Sequence, residues 1–152
     1  MQNQNIVLKD YTDADKLKLL QLMTLNIPTY FDAAELSDFS EYLDSEREIY
    51  YVVQLQGKIV GCGGINFEER KTIGIISWDI IHPDYQGQKL GKRLLKHRID
   101  VLQSIKSVKR IVVRTSQHTN LFYEKQGFVL KAHIPNYWAK GIDLCYMEYG
   151  SK

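Results

Sequence analysis

The stretch Ser77-Trp78-Asp79-Ile80-Ile81-His82-Pro83-Asp84-Tyr85-Gln86-Gly87-Gln88-Lys89-Leu90-Gly91-Lys92-Arg93-Leu94-Leu95 constrains the chain most. It reads as a strand, a sharp polar turn and a helix whose first turn is basic and carries glycine. The apolar, β-branched run from Ile73 to Ile81 has strand character, and Pro83 and Asp84 end it. Leu90, Leu94, Leu95 and Ile99 then recur at helical spacing. Free N–H groups at a helix start have no partner within the helix and lie at the positive end of its dipole, so the junction suits phosphate oxygens. Gly87 and Gly91 carry no Cβ and let a ligand come close to the backbone.

Around this unit the pattern is that of one α+β domain spanning residues 1–152. A first strand is expected at Asn5 to Lys9. A helix capped by Thr12 or Asp13 follows, with Leu17, Leu20 and Leu22 or Met23 inward, and Pro28 closes it. A second helix runs from about Ala33 to Leu43, with Leu36, Phe39 and Leu43 on one face. Glu48 to Leu55 and Lys58 to Phe67 form a hairpin about Gln56-Gly57, and Gly61-Cys62-Gly63-Gly64 marks a bulge or a close approach. Thr72 to Ile81 is the third antiparallel strand. A helix from about Gln88 to Ser104, a buried strand Arg110 to Thr115 and a helix Asn120 to Gln126 ended by Gly127 come next. Strands Phe128 to His133 and Leu144 to Tyr149 complete the chain. Side chains alternate along the strand Ile73 to Ile81, so Ile75, Ser77, Asp79 and Ile81 are expected to share one face, and Ile76, Trp78 and Ile80 the other.

Charge excludes some functions. Twenty Lys and Arg against 18 Asp and Glu leave a net charge of +2, so no global field favours nucleic acid or an anionic membrane. No apolar run reaches the roughly 20 residues of a membrane span, and the first residues lack a secretory pattern, so a cytoplasmic location is expected. Cys62 and Cys145 lie in apolar runs and read as buried, reduced thiols. The four histidines lack metal-ligand spacing, and no metal is expected.

The loop Gln86-Gly87-Gln88-Lys89-Leu90-Gly91 resembles the acetyl-CoA-binding motif of the GCN5-related N-acetyltransferases, in which a strand is followed by Gln/Arg-x-x-Gly-x-Gly/Ala and a helix. Lys89 stands where that family usually has glycine, a change that a helical φ at Lys89 would accommodate. Leu121-Phe122-Tyr123-Glu124-Lys125-Gln126-Gly127-Phe128 is similar to the family's Phe-Tyr-x-x-x-Gly-Phe element. The element order agrees as well, and the resemblance implies a three-layer α/β/α fold with a central mixed, mostly antiparallel sheet flanked by helices.

By that resemblance acetyl-CoA is the acetyl donor, and the acceptor is a primary amine of a small molecule or peptide. Gln86, Gly87, Gln88, Lys89, Leu90, Gly91 and Lys92 would hold its phosphates, and the backbone of Asp79, Ile80 and Ile81 would pair with the pantetheine. Tyr123 would protonate the departing thiolate, against the plainer reading that its ring only packs. Many family members carry an asparagine seven positions before this tyrosine. Ser116 stands there, with Asn120 as a substitute. A family glutamate acting as base falls on Ile75, which cannot accept a proton. Asp79 could hold the amine or take its proton through a water, or could simply bond to backbone. Tyr30, Phe31, Asp32, Glu35, Tyr137 and Trp138 fall where the family lines its acceptor cleft. An exposed C-terminal strand could pair across a homodimer. Two other readings stay open: a domain of the same fold that binds acyl-CoA as a sensor without turnover, and an unrelated phosphate-binding protein.

Overall fold

The computed structural model describes residues 5–87 and 89–150. Seven strands form one sheet in the order β1-β2-β3-β4-β5-β7-β6. They are β1 (Ile6–Asp10), β2 (Ile49–Leu55), β3 (Lys58–Glu68), β4 (Ile73–Ile81), β5 (Arg110–Thr115), β6 (Phe128–Ala139) and β7 (Ile142–Tyr149). The helices are α1 (Lys16–Thr24), α2 (Glu35–Glu41), α3 (Leu90–Gln103) and α4 (Asn120–Lys125). Every pairing is antiparallel except β4 with β5, which α3 connects as a parallel crossover.

Two apolar layers make the fold three-layered, as expected. On one face Leu19, Leu22 and Met23 of α1 and Phe39 of α2 pack on Tyr50, Val52, Cys62 and Ile80. On the other, Leu95, Ile99 and Leu102 of α3 and Tyr123 of α4 cover Ile65, Ile76, Ile111, Val113 and Met147. Both cysteines are buried and free, and burial pushes the Cys62 thiol up to about 12. Among the described residues no helix is long and apolar enough to cross a membrane.

The α1 stripe differs from expectation. A short turn at Asp13–Asp15 precedes the helix and rotates it, so Leu19, Leu22 and Met23 go inward, Leu20 is half-buried and Leu17 is exposed. Strands β6 and β7 also run further than Pro135 and Asn136 implied. Register shifts and a left-handed Asn136 absorb both residues, and Asp143 accepts a hydrogen bond from the Asn136 N–H at 2.9 Å.

The largest departure is in β4. Ser77 pairs with Gly64 and Ile80 with Cys62, so Trp78 and Asp79 together oppose Gly63 alone. Trp78 occupies the left-handed region at φ 47°, a conformation held by its ring against Phe31, Phe39 and Tyr42 and by the Tyr50 hydroxyl donating to its carbonyl at 2.8 Å. This bulge reverses the alternation. Ile76 faces α3, whereas Ile80, four residues on, faces α1 and α2. Asp79 and Ile81 therefore lie on the α3 side, not on a face shared with Ser77.

Candidate active site

Strands β4 and β5 pair only from Ile73 to Ile76 against Arg110 to Val113. Beyond that point Ser77 to Ile81 stay with β3 while Arg114 and Thr115 stay with β7, and the sheet opens into a V. A cleft of about 980 Å³ occupies the gap. The His82 N–H donates to the Val60 carbonyl at 2.8 Å. By antiparallel alternation the Ile81 N–H then points away from β3, toward the gap. The Ile81 carbonyl points the same way, taking the Asn26 amide at 3.3 Å and the Gln86 amide at 3.5 Å.

At the wide end of the V stands the start of α3. Among the described residues its first helical bond runs from the Arg93 N–H to the Lys89 carbonyl, and the N–H groups of Leu90, Gly91 and Lys92 find no helical partner there. Gln86, Gly87, Lys89, Leu90, Gly91 and Lys92 all line the cleft. Gly87 has φ 86°, where a side chain would be strained. Gln88 falls outside the described residues. Lys89 does not keep a helical φ: at 65° it is left-handed, the conformation that glycine adopts freely. The Tyr30 hydroxyl donates to Gln86 Oε1 at 2.9 Å and ties this loop to the segment between α1 and α2.

Where the V narrows, Asp79 and Tyr123 meet. The Tyr123 hydroxyl donates to Asp79 Oδ2 at 2.5 Å. Burial, then the neighbouring Asp79 charge, pushes this phenol well above its ordinary value, so it is a neutral proton donor. The other carboxylate oxygen, Oδ1, accepts Arg98 Nη1 at 2.5 Å. Ser116 lines the cleft, buried, its Oγ accepting the His118 N–H at 3.2 Å. Asn120 is half-buried and does not line the cleft, whereas Thr119 beside it does.

The face toward α2 is aromatic and acidic. Phe31, Trp78 and Trp138 line it with Glu35, Glu46, Glu48 and Glu68. Burial pushes the Glu35 carboxyl up, although the Asp32 N–H donates to its Oε2 at 2.9 Å. The Trp138 indole donates to the Thr115 carbonyl at 3.1 Å, while Tyr137, next to it on β6, is exposed and lies outside the cleft lining because neighbouring side chains of a strand point to opposite faces.

Sequence reasoning did not single out Arg98, and it marked Gly63 only as part of a glycine run at a bulge or close approach. A signal existed for Arg98, which stands on the stripe Leu94, Leu95, Ile99 and Leu102 where only apolar residues are expected.

The Acetyltransferase (GNAT) family matches residues 19–128, and the chain belongs to that family. Two amino-acid acetyltransferases resemble part of it. That of Shewanella oneidensis is 29% identical over 91 residues, 60% of this chain and 20% of the relative. That of Ralstonia nicotianae is 33% identical over 86 residues, 55% and 19%. The chain thus spans about a fifth of the length of these curated relatives. Among solved structures, the ribosomal-protein-S18-alanine N-acetyltransferase of Escherichia coli superposes with a TM-score of 0.78 at 19% identity, covering 95% of this chain and 92% of its own. An aminoglycoside 6'-N-acetyltransferase complexed with coenzyme A gives 0.76 at 16% identity, covering 93% and 95%. These likenesses concern the fold.

Proposed function

We propose that the chain transfers an acetyl group from acetyl-CoA directly to a primary amine of a small molecule or peptide. The observation that carries this reading is the open edge of β4, which leads without interruption from the free N–H groups of α3 to the Asp79–Tyr123 pair. Leu90, Gly91 and Lys92 offer main-chain donors to the diphosphate, with the exposed ammonium groups of Lys89 and Lys92 beside them. Asp79 offers its main-chain groups to the pantetheine amides in the manner of an added strand, whereas those of Ile80 are directed at Cys62 of β3. The Ile81 N–H serves the developing oxyanion, and alignment of amine and thioester supplies much of the barrier lowering without a covalent enzyme intermediate. Glu35, Phe31, Trp78 and Trp138 form the side from which a cationic amine arrives. Tyr123, kept protonated by burial, gives a proton to the departing sulfur.

The test is calorimetric titration with acetyl-CoA, free CoA and ATP, followed by a thiol-release screen over primary amines. Saturable binding of acetyl-CoA but not ATP, with CoA released in the presence of an amine, is the expected result. Binding without release for any amine would favour a sensor of the same fold. No binding of either CoA species would overturn the proposal.

A further inference from the structure

We infer that Arg98 is a positioning residue for proton transfer in this site, acting through Asp79 on Tyr123; the inference rests on the acetyl-transfer reading. Arg98 is wholly buried and does not line the cleft, yet its partner Asp79 does. The guanidinium is fixed from several sides. Nε donates to the Leu94 carbonyl at 3.2 Å, and Nη1 donates both to the Gly64 carbonyl at 3.0 Å and to Asp79 Oδ1 at 2.5 Å. Among the described residues Nη2 has no partner. Gly63 leaves the room: a Cβ there would stand 2.7 Å from Asp79 Oδ1 and 2.9 Å from Arg98 Nη1.

A buried ion pair with an unsatisfied donor is a poor device for stability, since well-packed apolar residues of similar volume do as well or better. What this pair does accomplish is geometric. Arg98 grips Oδ1 from α3, on the same side of the sheet, and holds the carboxylate so that Oδ2 stays on the Tyr123 hydroxyl. In that arrangement the phenol keeps its proton but points it at Asp79 Oδ2, so it is not free for a sulfur atom.

The order of proton movements follows. The arriving ammonium first gives one proton to water in the open cleft; the neutral amine then attacks, and Asp79 takes the second proton, released as nitrogen bonds to the acetyl carbon, directly or through one water. The protonated carboxyl then donates to the Tyr123 oxygen, and the phenol's own proton passes to the sulfur as the carbon–sulfur bond breaks. Asp79 returns its proton to the phenolate oxygen and is again a carboxylate. One proton has moved from nitrogen to sulfur, and both side chains are restored.

A double-mutant cycle tests this. Relative to the wild type, Arg98→Met should lower kcat by about tenfold or more, with the Kd of acetyl-CoA and the KM of the amine unchanged. Arg98→Lys, which keeps a charge without the fork, should recover part of that loss. Combined with Tyr123→Phe, either change should cost less than the product of the two single losses, because both act on one hydrogen bond. Losses that multiply, a kcat left intact, or a loss confined to Kd or KM would overturn the role and leave the acetyl-transfer reading standing. Should Arg98→Met not fold, Arg98→Lys with and without Tyr123→Phe decides the point in the same way. A wild-type chain that transfers acetyl to no amine would overturn both.

Discussion

Replacing Gly63 by alanine probes the site with a single methyl group. The added carbon would stand 2.7 Å from Asp79 Oδ1, 2.9 Å from Arg98 Nη1 and 3.0 Å from Arg98 Cζ, about half an ångström or more inside ordinary contact. Arg98 cannot retreat, being held by the Leu94 and Gly64 carbonyls, so Asp79 must swing toward the cleft and release either Arg98 or Tyr123. Overpacking of this kind costs about 1–3 kcal/mol. For a chain of this length that is a fall of roughly 2–12 °C in Tm. Gly91→Ala is the internal control. Its nearest neighbour would be Phe122 Cζ at 3.4 Å, an ordinary contact, and alanine gains about 0.5–1 kcal/mol over glycine in a helix. Urea unfolding and steady-state turnover of the two variants decide the matter. Gly63→Ala should lose stability and kcat while keeping acetyl-CoA affinity, and Gly91→Ala should gain stability. An unchanged midpoint and kcat for Gly63→Ala would refute the placement of Asp79 against Arg98.

Three further outcomes are expected. Tyr123→Phe should lower kcat with acetyl-CoA affinity intact by calorimetry; equal losses in both would make Tyr123 a packing residue only. Lys89→Gly should raise thermal stability by up to about 1 kcal/mol, because φ at this position is 65°, and should weaken acetyl-CoA binding most at low salt; lower stability would contradict the left-handed assignment. Burial raises the Glu35 carboxyl, so the folded state binds its proton more tightly than the unfolded chain, and this contribution is present at low pH and lost as pH rises through the folded value. Glu35→Gln should therefore gain on the wild type as pH rises from the ordinary carboxylate range through the raised folded value, read as the difference of urea midpoints, and a pH-independent difference would oppose this.

The order of elements was legible because it rests on periodicity and turn chemistry, both local. Gln56-Gly57 closes its hairpin with two positive φ angles, and Gly61 to Gly64 marks a bulge and close approaches, as their composition implied. The parity of β4 was not legible. Trp78 sits in an apolar run whose one glycine, Gly74, lies four residues away, and nothing local distinguishes an aromatic residue in a left-handed bulge from one in a regular strand. Arg98 was half legible. A charge on an apolar helical stripe announces a buried partner, but naming Asp79 requires knowing that α3 crosses β4 and that Asp79 faces it. Lys89 shows the same limit from the other side. Lys89 has φ 65°, a conformation glycine adopts freely, and nothing in a lysine's identity announces it.

The bulge joins these points into one argument. Without the extra residue in β4, Asp79 would share the face of Ser77, beside the aromatic rings under α2, and Ile80 would face α3. With it, Asp79 turns to the α3 side, where Tyr123 arrives from α4 and Arg98 from α3. The residue opposite the bulge must then have no side chain, and it is Gly63. The same strand separates from β5 at Ser77, so the acid pair lies where main-chain groups of β4 are free. Gly63, Trp78, Asp79, Arg98 and Tyr123 are therefore one structural unit. Changing any of them should perturb the rate through the position of a single carboxylate, whereas changes around Gln86 to Lys92 should act on binding of the acetyl donor.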